Sequence, residues 1–423
     1  MDVGLARVSM ITHTCPEQPV VRGPLQSTGA ASRLAALLLG RILPVCSLVA
    51  PYQTGASPLS VRRGTVTTDC QERTMRHLPT TGACRALVLA TVALLAEPVG
   101  VHTQAPATLD IYWIDVEGGA ATLVVTPERD AVLMDTGWPG TDARDAGRIQ
   151  AAMRDAGITK IDYLLISHFH RDHVGGLAAL AERVPIGQVI DHGDSVERDR
   201  EQGRAIWEEY LTIVDGRRRT VTPGDKLPLR RIEFSFVAAH GALVDSLERR
   251  APNRLCEGTP AGSIDQGENP RSLGYLLSLG AFQFLNLGDL TPNHEYDLAC
   301  PENRLGVVDL YQVPHHGGGG AARPELTWAL QPTVAVINNG PHKGGSPESY
   351  AVVRDTPDIE DIWQVHRALG ADAAGNTDPR LIANLTEEDD CVGHWIKATV
   401  QPDGRSWTMT NGRTWYSRNY LSK

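Results

Sequence analysis

Short strands and helices alternate across residues 107–423, and the alternation predicts one mixed α/β (α+β) domain of about 315 residues. Composition agrees with a folded, soluble chain of that class. Hydrophobic residues make up 42% and charged residues 21% of the 423, which excludes a disordered chain and a polytopic membrane protein. The net charge of −10 argues against a free-standing, non-specific DNA binder. Seven cysteines are too few for a disulfide-built scaffold of this length.

Charge separates the first hundred residues from the rest. Residues 1–105 hold nine Arg, no Lys and five acidic residues (+4), and the remainder is −14. Residues 1–74 show no sustained period, and their apolar run 34–50 is broken by Arg41 and Pro44, so it is a poor membrane span. Met75-Arg76-His77, the apolar run 86–96 and the small-residue exit before Pro106 form the three parts of a secretory signal. The expected organisation is an upstream extension (1–74), a signal peptide (75–105) and a domain over 106–423. The expected location is periplasmic or secreted, with no membrane span in the mature chain.

The elements follow in order. Alternating or apolar runs at 109–114, 122–125 and 131–134 predict a strand meander. Helical spacing covers 142–156, then a strand at 161–166, a helix-like stretch at 174–182, a strand at 188–191 and a helix over 205–214. A strand at 231–238 precedes a polar, Gly- and Pro-rich insertion, 241–268, of the kind that is functional or irregular. Residues 272–279 and 282–287 predict a hairpin. Strands at 307–313 and 333–338 are each followed by helix-like stretches, and 394–400 with 406–410 predict a closing hairpin.

The chemistry concentrates in Ser167-His168-Phe169-His170-Arg171-Asp172-His173-Val174-Gly175-Gly176, directly after the strand 161–166. Three His and one Asp within six residues would repel or stay unpaired without a shared cation. Imidazole and carboxylate suit Zn²⁺, and also Fe or Mn. His168 and His170 alternate along an extended backbone and can point the same way.

This His-x-His-x-Asp-His pattern after a hydrophobic strand resembles the metallo-β-lactamase superfamily. Three more segments support the resemblance in order: Asp135-Thr136-Gly137, Asn286-Leu287-Gly288-Asp289 and Pro314-His315-His316-Gly317. The resemblance implies a four-layer αββα sandwich. It implies one or two metal ions, with His168 and His170 on one, Asp172, His173 and His315 on the other, and Asp289 bridging. Asp135 would orient a ligand from behind. The opening Trp113-Ile114-Asp115-Val116-Glu117-Gly118-Gly119 and the His-His-Gly segment resemble the metallo-hydrolase domain of ComEC-type DNA-uptake proteins, although Glu117-Gly118 departs from that pattern.

The third ligand of the first ion is the open position. Where many members carry a His, this chain has Asn269-Pro270-Arg271-Ser272. Either Asn269 or His240 completes the site, or neither does; Asn269 is narrowly favoured by position, His240 by the better donor chemistry of imidazole. Asn338–Lys343 follows a strand on the same expected face and could hold an anionic substrate group, although a turn is the default for such residues. Cys256 and Cys300 could pair to anchor the insertion in an exported protein.

The expected protein is a zinc-dependent hydrolase in which Asp172 helps steer a metal-activated water. A phosphodiester or nucleic-acid-type substrate is favoured, with a small molecule (lactone, β-lactam, thioester or activated halide) as the alternative. The acidic mature chain argues against a stable nucleic-acid complex, and the sequence leaves the oligomeric state open.

Overall fold

The computed structural model describes residues 107–423 apart from 141, 246, 248–250 and 388–390. The expected extension (1–74) and signal segment (75–105) lie outside the described residues. Two large sheets face each other. The first runs Ser417–Leu421, Ser406–Asn411, Ile396–Val400, Leu109–Trp113, Thr122–Val125, Ala131–Met134, Ile161–Leu165, Ile186–Asp191, Arg218–Thr220. The second runs Ile382–Asn384, Asp361–His366, Val334–Ile337, Leu310–Gln312, Phe282–Asn286, Gly274–Leu279, Glu233–Ala239, Ala242–Leu243.

The period-2 alternation of the strands builds three apolar layers. Ile111, Trp113, Val124, Val132 and Leu165 of the first sheet meet Phe234, Phe236, Tyr275, Phe284 and Trp363 of the second between the sheets. Tyr112, Leu123, Leu133 and Leu164 point the other way, onto the helices Arg144–Asp155 and Glu201–Val214. Leu276, Leu285, Tyr311 and Ala335 do the same on the far face of the second sheet, against Pro292–Ala299 and Pro324–Leu330. Helix, sheet, sheet, helix is the expected sandwich.

A buried amide ties the two sheets together. Gln312 Oε1 accepts from Trp113 Nε1 (2.8 Å), Thr122 Oγ1 (3.0 Å) and Asn286 Nδ2 (2.9 Å). Such a satisfied buried group fixes how the strand ends line up, and the functional residues project from those ends.

The longest strands that escaped the sequence reading are Asp361–His366 and Ser417–Leu421, and with them went shorter ones such as Ile382–Asn384 and Arg218–Thr220. Asp361–His366 and Ile382–Asn384 extend the parallel part of the second sheet, where burial on both faces erases the alternation that marks a strand. The insertion carries short elements of its own, Ala251–Pro252 and Arg254–Cys256. Ala251–Pro252 pairs with Glu302–Asn303, and Cys256 forms a disulfide with Cys300. Among the described residues no helix is long and apolar enough to cross a membrane.

Candidate metal centre

The strand Ile161–Leu165 ends in the ligand-rich loop, and Ser167 is its hinge. Asp135, at the end of the neighbouring strand, accepts from Ser167 N (2.7 Å), Ser167 Oγ (2.7 Å) and His173 Nδ1 (2.8 Å). His168 Nδ1 lies 3.0 Å from the same Ser167 Oγ. With the serine proton given to Asp135, its oxygen accepts from His168 Nδ1. Both imidazoles are thereby held with Nδ1 protonated and Nε2 free, the form a metal needs.

Four donors converge beyond this frame. Asp172, His173, Asp289 and His316, all buried, bring one ligand atom each into a single cluster. His173 Nε2 lies 3.1 Å from Asp172 Oδ2, 3.1 Å from Asp289 Oδ2 and 3.2 Å from His316 Nε2. His316 Nε2 lies 3.3 Å from each carboxylate oxygen. Ligands at about 2.0–2.2 Å from one ion cannot be more than roughly 4.4 Å apart, and these separations all fall inside that limit. Burial opposes the charged forms of Asp172 and Asp289. Even so, the neighbouring imidazoles hold both carboxyls well below their usual range. Burial would lower His173 too, but the carboxylates of Asp289, Asp172 and Asp135 outweigh it and raise it. Such a set is built around positive charge and fits a divalent ion.

The last histidine of the cluster is His316, a correction to the reading that placed His315 there. His315, His316 and Gly317 are consecutive left-handed residues (φ 51°, 56° and 66°). That coil turns the second imidazole inward, and counting alternation from the strand end cannot foresee it. The turn is clamped by Gly345 N donating to His316 O at 2.8 Å. A Cβ on Gly344 would come within 2.2 Å of that same oxygen. Left-handed non-glycine residues cost energy and persist where surrounding structure imposes them.

His168 and His170 stand next to the cluster. His168 Nε2 is 3.0 Å from His170 Nδ1 and 3.9 Å from Asp289 Oδ2. His315 Nε2, half-buried, is also 3.9 Å from Asp289 Oδ2, and Asn269 Nδ2 lies 3.4 Å from it. Asn269 therefore borders the site through His315, and its buried Oδ1 has no partner. His240 goes elsewhere. Its Nδ1 faces His192 Nδ1 at 3.3 Å, and His192 Nε2 pairs with Glu268 at 3.1 Å.

The sequence reading did not single out Glu268, Ser167 or His192. Glu268 is buried, accepts from Ser195 Oγ (2.6 Å), Val196 N (2.6 Å) and Phe169 N (3.3 Å), and so pins the backbone between His168 and His170. A buried acid directly preceding Asn269 in a polar insertion carries no periodic signal that would have marked it. Glu117, the departure in the opening motif, pairs with Arg144 and with Arg148 Nη2 (3.0 Å). The neighbouring acidic group of Asp115, Glu117 and Cys391 is bridged by Arg148, which supplies the positive charge itself.

Residues 114–253 match the family model of the metallo-beta-lactamase superfamily. The chain is thus similar to a metallo-β-lactamase domain over about a third of its length. Recombination protein 2 of Haemophilus influenzae is 24% identical to it over 235 residues, covering 55% of this chain and 24% of that protein. ComE operon protein 3 of Bacillus subtilis is 25% identical over 246 residues, covering 55% and 28%. The chain thus spans about a quarter of the length of these curated relatives. The metallo-beta-lactamase fold protein YhfI from Bacillus subtilis aligns with a TM-score of 0.38 at 10% identity, covering 69% of this chain and 99% of that one.

Proposed function

We propose that the protein is a zinc-dependent hydrolase of phosphodiester or nucleic-acid-type substrates. The convergence of Asp172, His173, Asp289 and His316 carries the reading. These four would hold one ion. His168 and His170 would hold a second, with His315 as the imidazole nearest to the place that Asn269 leaves short of a strong donor. A bound Zn²⁺ supplies a water acidified to a pKa of roughly 7. The chain's own residues do the rest. Asp135 and Ser167 fix the imidazole tautomers, Asp172 would anchor the ion and orient the water, and Glu268 holds the loop that presents His168 and His170.

Two observations favour a phosphodiester over the neutral lactone or β-lactam. The likeness to ComE operon protein 3 and Recombination protein 2 covers this same domain. The site also adds the ammonium of Lys343 to the charge of any ion bound by Asp172, and excess positive charge selects an anion. The Cys256–Cys300 disulfide supports an oxidising compartment, and with it the export read from residues 75–105.

The test is metal analysis of the purified chain joined to a panel of phosphodiesters, lactones and β-lactams. Stoichiometric zinc with chelator-sensitive phosphodiester cleavage is expected. A folded protein that takes up no divalent metal would refute the hydrolase reading, and lactone or β-lactam turnover alone would move the substrate to the alternative class.

A further inference from the structure

Lys343 lies where no packing argument requires a lysine. Its Nζ bonds Oδ2 of Asp172, the same oxygen that faces His173 and His316 in the metal cluster. The ammonium therefore competes with a metal ion for one carboxylate. Its stem crosses Gly118, where φ is +86° and a Cβ would come within 2.7 Å of Lys343 Cβ. A side chain at 118 would push the lysine off its carboxylate, so the unusual Glu117-Gly118 opening provides room for it. Nζ also lies 5.1 Å from the centre of the Trp138 ring, a face that can hold an ammonium away from a carboxylate. The side chain is partly exposed, 36% by area, so its long stem can pivot without rearranging the core.

We propose that Lys343 is an exchangeable counter-ion and the anion-binding residue of the site. Without metal, its ammonium neutralises Asp172. When a divalent ion takes Oδ2, the two cations repel each other and Lys343 turns along Trp138 toward the cleft. There it binds a non-bridging oxygen of a phosphate ester. The assignment deepens the phosphodiester reading above and rests on it for the substrate class. The metal competition stands apart from it.

The experiment uses the full chain and two probes, Zn²⁺ alone and inorganic phosphate. Zinc affinity is measured by competition with a chromophoric chelator, and phosphate affinity by calorimetry on the zinc-loaded protein. Lys343→Met should bind zinc more tightly, by up to about fivefold, the range of a partly exposed ion pair removed from competition. It should bind phosphate about tenfold more weakly. Lys343→Arg should keep phosphate binding, and Lys226→Met, whose exposed ammonium pairs with Glu233, should change neither affinity. Unchanged or weaker zinc binding in Lys343→Met would overturn the counter-ion role. Unchanged phosphate binding would overturn the anion role. Failure of the unmodified protein to cleave any phosphodiester would defeat the substrate reading while leaving the zinc competition to be read on its own.

Discussion

Nδ1 of His173 lies 2.8 Å from Oδ2 of Asp135, and that contact decides which ring nitrogen faces the cluster. With Nδ1 bonded to a carboxylate, Nε2 is left to the 3.1 Å contacts with Asp172 and Asp289. The same carboxylate reaches His168 through Ser167. One residue behind the site thus sets the tautomer of two imidazoles in front of it.

Asp135→Asn should therefore weaken metal binding about ten- to a hundredfold, the usual cost of losing an outer carboxylate, without unfolding the chain. Chelator competition with circular dichroism checks this. Wild-type affinity in the variant would show that the tautomers are set elsewhere.

The tandem histidines should separate by stoichiometry. His316→Ala should lose the equivalent of metal held by the buried cluster, because it removes one of four converging donors. His315→Ala should keep that equivalent and lower the affinity for a second. Elemental analysis after dialysis against limiting zinc reads both. The reverse order would return His315 to the cluster.

Asp172→Ala should abolish most turnover, by about two orders of magnitude or more, since a direct ligand matters at least as much as its outer partner. The residue sits in the short helix Arg171–Val174 beyond the strand Ile161–Leu165 and its side-chain partners are site residues, so the thermal transition of the metal-free protein should move little. A variant with an unchanged catalytic rate would show that the assigned centre is not the active one.

The Cys256–Cys300 bridge spans 44 residues of sequence. In the chain-entropy account, closing such a loop is worth about 4 kcal/mol as an upper figure. Cys256→Ser should lower the melting temperature of oxidised protein, and added reductant should lower that of the parent but not of the variant. Equal melting curves in all four conditions would show that the bridge constrains nothing that matters for stability.

Glu295 gives a pH prediction. It is fully buried beneath the helix Pro324–Leu330, its Oε1 has no partner, and burial pushes its carboxyl up to about 8. A folded-state value above the ordinary 4.5 means that the unfolded chain loses this proton first. Its stability contribution is complete below about 4.5 and is lost as pH rises through about 8. Glu295→Gln should flatten that part of the melting-temperature profile. An unchanged slope would assign it to other groups.

Much of this protein was legible in the amino-acid order. Period-2 runs marked most strands of the sandwich, because each has one face on the inter-sheet core. The spacing His168-x-His170-x-Asp172-His173 marked the centre, because no packing reason gathers four such groups at a strand end. Only the tertiary structure decided between His315 and His316, since a left-handed coil over three residues reverses which imidazole turns inward. It likewise set His240 against His192 rather than in the cluster of Asp172, His173, Asp289 and His316, and brought Lys343 onto Asp172 from 171 residues away. Local sequence fixes which groups are available and on which face of a strand they stand. Contacts made through irregular loops depend on backbone angles set by distant neighbours, such as Gly344 against His316, and those become definite only when the sheets are packed.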